Sequence, residues 1–174
     1  HSATRSLLER RDVIIVSSVS CIYGLGHPEA YSGLLLTLSR NQKISREEII
    51  EHLVLIGYNR NDYDFHRGSF RVRGDIIDIF PSFEERRALR VELFGKDIDS
   101  ISEIDAVTGS TLSRVESASI YPTSHYITWP ETLKKAIAGI RQELKEWLPE
   151  MRNRGKILEA KRLEQRTTYD LEML

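Results

Sequence analysis

Four arginines and a glutamate, Arg60, Arg71, Arg73, Arg90 and Glu92, carry the chemistry this sequence offers. Arg71 and Arg73 alternate with Phe70 and Val72, while Arg90 and Glu92 alternate with Leu89, Val91 and Leu93. Successive side chains of a strand point to opposite faces, so these four should project from one side of a sheet. Arg60 lies in the loop from Tyr58 to Asp62 that precedes them. Charges are the default on a solvated sheet face, and Arg73, Arg90 and Glu92 could satisfy one another there. Yet all four cations are arginine and none is lysine. A guanidinium makes planar, multidentate contacts to carboxylates and is enriched where proteins meet. A solvated network and a protein-docking face are both open readings at this point.

Other residue types offer less. There is no Gly-x-x-x-x-Gly-Lys-Ser/Thr to cradle nucleotide phosphates, and Gly24-Leu25-Gly26 reads as a turn. None of His1, His27, His52, His66 and His125 has metal-ligand spacing to another. Cys21 has no neighbour that marks a nucleophile and reads as a buried structural thiol. Asp75 and Asp78 resemble a catalytic pair only superficially; a turn residue and a solvated partner for Arg71 explain them. No catalytic, cofactor-binding or metal-ligating residue is assigned.

The elements that must hold the arginines are legible around them. Gly74-Asp75 separates two alternating runs, and Gly supplies the positive φ of a type II′ hairpin turn. Val72 then faces Ile77, Phe70 faces Ile79, and Arg71 faces Asp78. One continuous strand bulged at Gly74 is the alternative. Ser69 to Arg73, Ile76 to Phe80, Leu89 to Phe94, Ile98 to Ile104 and Leu112 to Ile120 read as successive strands. Gly95-Lys96 and Thr108-Gly109 supply further turns, which implies an antiparallel meander.

Helices should cover one face of that meander. Ser45-Arg46-Glu47-Glu48 is a capping box before a stripe of Ile49, Ile50, Leu53, Val54 and Ile56, and Gly57 is placed to stop the helix. Glu29 to Leu38 reads as a weaker helix, and Ala3 to Arg11 as the end of another. Val13 to Val16 is a β-branched run suited to a strand buried on both faces. Thr128 and Glu131 repeat the capping-box spacing, opening a helix that Pro149 should kink or split and Gly155 should interrupt. The expected fold class is α+β: an antiparallel sheet with helices on one face, flanked by an orphan strand and a helical arm.

Composition narrows the function. The 174 residues carry 25 Lys plus Arg against 26 Asp plus Glu, a net charge of −1. A domain gripping nucleic acid through phosphates would show a basic excess, so strong DNA binding by this chain alone is not expected. No apolar run approaches the ~20 residues of a membrane span. A single cysteine excludes an internal disulfide and suits a reducing cytoplasm. The start at His1, without methionine or signal peptide, reads as a piece cut from a longer chain.

Several segments carry a family resemblance. Arg67-Gly68-Ser69-Phe70-Arg71-Val72-Arg73-Gly74 running into Asp78-Ile79-Phe80-Pro81 resembles the UvrB family of bacterial nucleotide excision repair proteins. So do Ser18 to Gly26, Tyr58 to Asp62, Arg90 to Phe94 and Gln165 to Met173, in the same order. The transcription-repair coupling factor Mfd has a similar hairpin module, but the Ser-Cys-Ile-Tyr-Gly-Leu-Gly segment and the Gln-Arg-Thr tail favour UvrB. The resemblance implies a module inserted in a helicase-like motor domain that docks onto UvrA at damaged DNA. It implies residues 1–27 as a motor fragment, 28–120 as the UvrA-interaction domain and 121–174 as a helical arm returning to the motor. The positions matching the family's docking residues are Arg60, Arg71, Arg73, Arg90 and Glu92. The ATP-binding loop, the DNA-clamping hairpin and the later helicase motifs of the whole excinuclease subunit are missing here. UvrA is then the implied partner, and ATP and damaged DNA belong to the full-length protein alone.

Overall fold

Gly74 and Asp75 turn the chain as a two-residue hairpin in the computed structural model, which describes residues 2–22 and 32–174. Gly74 has φ +61° and Asp75 is not among the positive-φ residues, as a type II′ turn demands. The flanking strands, β3 (Ser69–Arg73) and β4 (Ile76–Phe80), pair in the expected register: Phe70 with Ile79, Arg71 with Asp78, Val72 with Ile77. The meander continues through β5 (Arg87–Phe94), β6 (Asp97–Asp105) and β7 (Thr111–Val115). A two-residue strand, β2 (Asn59–Arg60), runs parallel to β3 and completes a six-stranded sheet in the order β2-β3-β4-β5-β6-β7.

The last expected strand is two. After Val115 the chain leaves the large sheet, and β8 (Ser117–Ile120) pairs antiparallel with β1 (Leu36–Ser39). The expected helix from Glu29 to Leu38 is therefore wrong at its C-terminal end, where Leu36 and Leu38 are strand residues facing the core. Pairing with a segment about eighty residues away overrides the local helical spacing. Its first residues, like Gly24-Leu25-Gly26 and His27, lie outside the described residues.

Helix α1 (Ser2–Glu9) forms as read, but Val13 to Val16 forms no strand. A strand exists only with a neighbour to complete its ladder, and none pairs with it among the described residues. Ile14 is 92% exposed and Val16 95%. Cys21 is exposed, in a 3₁₀ turn, and not buried as expected.

Helix α2 (Arg46–Leu55) begins with the expected capping box: Glu48 N–H donates to Ser45 Oγ, and Ser45 N–H donates to Glu48 Oε2 at 2.7 Å. Ile49, Leu53 and Ile56 are buried, while Val54 points to solvent. They meet Phe70, Ile77, Ile79 and Val91 on the inner face of the large sheet, and Leu34, Leu36 and Leu38 close the same core. A small second core, built of Phe80, Ala88 and Ile104 with Phe65, sits at one end of the outer face.

The chain divides into two compact units, His1–Ile127 and Thr128–Leu174. The second is a helical hairpin of α3 (Pro130–Asn153) and α4 (Ile157–Glu172), with Leu148, Ala160 and Leu171 buried. One expectation fails here and another is narrowed. Trp129 is the N-cap of α3 and no side chain caps it, because Pro130 at the first helical position sets the start one residue later than a Thr128 box needs. Of the two effects expected of Pro149, a kink or a split, the split does not occur: the helix continues to Asn153, with the neighbouring Leu148 buried. Gly155, at φ +75°, separates α3 from α4. The architecture is α+β.

Candidate protein-docking face

The outer face of the large sheet is built by parity. Phe70, Ile77 and Val91 point into the core, so Arg71, Asp78 and Arg90 must point out, and the pairing sets them side by side on β3, β4 and β5. Ser102 on β6 and Arg114 on β7 extend the same row. One step along the strands, Arg73, Ile76, Glu92 and Ser100 form a second row.

Asp78 organises the first row. Arg71 Nε donates to Asp78 Oδ2 at 2.9 Å. From the other side, Arg90 donates through Nε to Oδ1 at 2.7 Å and through Nη2 to Oδ2 at 3.1 Å. The carboxylate is 3% exposed, Arg71 15% and Arg90 24%. Two guanidiniums share one carboxylate, leaving a net positive charge, and hydrogen bonding to Asp78 raises the Arg90 pKa further. The Arg71 guanidinium also lies 4.3 Å over the Phe65 ring, a cation–π contact. Asp78 is thus a buried partner of two arginines, where the sequence suggested a solvated partner of one. Arg71 and Arg90 are largely enclosed, and of the three outer-face arginines on β3 and β5 only Arg73 is exposed.

The remaining residues are freer. Arg73 is exposed and forms no ion pair among the described residues. Glu92 is half-buried and accepts the Ser100 hydroxyl at 2.6 Å; among the described residues no salt bridge joins Arg73, Arg90 and Glu92, although the Glu92 charge acts on Arg90. Arg60 stands at the sheet edge on β2, forked onto Asp62 Oδ2 through Nε at 3.2 Å and Nη2 at 3.0 Å. Asp62 Oδ1 accepts the Val72 N–H at 3.0 Å. That backbone bond first, and then Arg60, hold Asp62 below the usual carboxylate range, with Arg73 adding charge from farther off.

Chemically, the face can recognise carboxylates: it offers fixed guanidinium edges, one free arginine and one hydrogen-bonded acid. Among the described residues no group of three or more His, Cys, Asp or Glu could hold a metal ion. No described helix is long and apolar enough to cross a membrane. Sequence reasoning found the arginines but not Phe65 or the bridge from Asp78 to Arg90. Alternation placed Asp78 opposite Arg71; only the neighbour order of β4 and β5 places it opposite Arg90.

Comparison with known proteins agrees in register. A family profile described as the UvrB interaction domain matches residues 36–126, and one described as the UvrB third helical domain matches residues 131–174. The chain is 55% identical over all 174 residues to UvrABC system protein B of Syntrophotalea carbinolica, covering 26% of that protein. It is 54% and 55% identical, with the same coverage, to the proteins of that name in Nitratidesulfovibrio vulgaris and Bacillus licheniformis. The chain spans about a quarter of the length of these curated relatives. Matched over more than half its length by the interaction-domain profile and end to end by these relatives, the chain belongs to the UvrB family.

Proposed function

We propose that this chain is a protein-docking module that binds UvrA, and so brings the longer protein to damaged DNA in nucleotide excision repair. The observation that carries the reading is the sheet's asymmetry. One face is sealed by α2 and the β1–β8 pair, while the opposite face carries Arg71, Arg73, Arg90 and Glu92, with Arg60 at the adjoining edge. In this reading residues 28–120 are the docking insert, and 1–27 and 121–174 are flanking pieces of a motor domain. ATP use and strand incision belong to the full-length protein in the cytoplasm, and this chain acts by binding alone.

Arg73→Glu tests the reading. Removing one partner of an interfacial charge pair costs ~2–5 kcal/mol of affinity, and reversal adds repulsion. Folding should change by only about 0.5 kcal/mol at an exposed position. The expected result is a folded chain that no longer retains UvrA; retention at wild-type affinity defeats the proposal. A nucleic-acid-binding role is separated by salt, since phosphate contacts would give a steep linear loss of DNA affinity with log salt concentration.

A further inference from the structure

Asp78 contacts no solvent to speak of, yet it is the one group through which two of the arginines meet. It lies directly opposite Arg71 on one neighbouring strand and Arg90 on the other, and takes donors from both at 2.7 to 3.1 Å. The Arg71 guanidinium also packs on the Phe65 ring, 4.3 Å from its centroid. A free arginine samples many rotamers and loses them when a partner binds. Here that loss is incurred on folding, before any partner arrives. Each guanidinium has five N–H donors, so bonding to Asp78 leaves several directed away from the carboxylate.

We infer that Asp78 is a positioning residue: it locks Arg71 and Arg90 into one preorganised, singly charged fork aimed at a carboxylate-bearing partner surface. The inference rests on the docking reading and adds to it a residue that does not itself touch the partner. It also reverses the sign that charge alone predicts. Deleting a negative charge from a cationic face should speed association with an acidic partner and tighten it. Loss of the lock should instead weaken the complex through faster dissociation.

Asp78→Asn in the 174-residue chain, measured against UvrA by a kinetic binding assay, decides between these. The expected result is a dissociation rate raised tenfold or more with the association rate unchanged or higher, and recovery of most of the affinity by Asp78→Glu. Binding that is unchanged or tighter in Asp78→Asn overturns the inference. A readout on the unmodified protein covers the case in which Asp78→Asn does not fold. In the free chain, the Arg71 and Arg90 Nε–H resonances should be resolved and slow to exchange with solvent, unlike that of Arg73. Averaged, fast-exchanging Arg71 and Arg90 signals overturn the lock. If Arg73→Glu still binds UvrA, the docking reading fails, whereas the Nε–H measurement continues to report on the lock by itself.

Discussion

Asp62 Oδ1 takes the main-chain N–H of Val72 at 3.0 Å, two residues beyond the last β2–β3 pair, Arg60 with Phe70. Asn59 and Asn61 N–H donate to Gly68 and Phe70 carbonyls, and the Asp62 side chain then substitutes for a strand at Val72. One carboxylate therefore finishes a sheet edge and seats Arg60.

Replacing Asp62 with Ala should free both groups. The Val72 amide should exchange with solvent at least tenfold faster, while amides at Ile77 and Val91 in the sheet interior keep their protection. Hydrogen exchange followed by NMR reads this directly. Equal protection of Val72 in both proteins would show that the edge does not depend on the carboxylate.

Gly57 should tolerate no side chain. It has φ +88°, and a Cβ there would press on Thr123 Oγ1 and lie 2.6 Å from Ile127 Cδ1. Gly57→Ala combines left-handed backbone strain with overpacking, so a loss of about 2–4 kcal/mol in urea unfolding is expected.

Acid should loosen the β6–β7 turn late. Asp105 accepts the Thr108 N–H at 2.8 Å, the Val107 N–H at 3.0 Å and Arg86 Nε at 2.7 Å. These bonds, the Thr108 amide foremost, hold its pKa down to about 2 against an ordinary 3.8. The folded value lies below the unfolded one, so the stabilisation is complete above about pH 4 and disappears as pH falls towards 2. Thermal melts of wild type and Asp105→Asn should differ above pH 4 and converge near pH 2.

Ile14→Asp and Val16→Asp should leave thermal stability within about 0.5 kcal/mol of wild type, because both side chains already face solvent. A large drop in melting temperature would mean that the Val13 to Val16 run is packed in solution.

Legibility in the sequence followed the range of the forces involved. The Gly74 hairpin and the Ser45 cap depend on residues within a few positions of each other, and both are as read. Leu36 and Leu38 read as helical because helical spacing is local, whereas their strand is made by Ser117 to Ile120. The split of the last strand was hidden for the same reason: nothing near Glu116 announces that its neighbours pair with different sheets. At the candidate site, residue types and parity exposed Arg71, Arg73, Arg90 and Glu92. That Arg90 would share Asp78 with Arg71 depended on strand order, and that is a property of the assembled sheet.

The pairing of β1 with β8 also has a mechanical consequence. Leu36, the first residue of β1, stands opposite Ile120, the last residue of β8. Tension drawn across those two points pulls the strands apart from one end, breaking their hydrogen bonds in succession and not together. A four-residue stem loaded in this way yields like a zipper at low force. The six-stranded sheet, whose strands all lie between residues 36 and 120, is spared that load until the stem has opened.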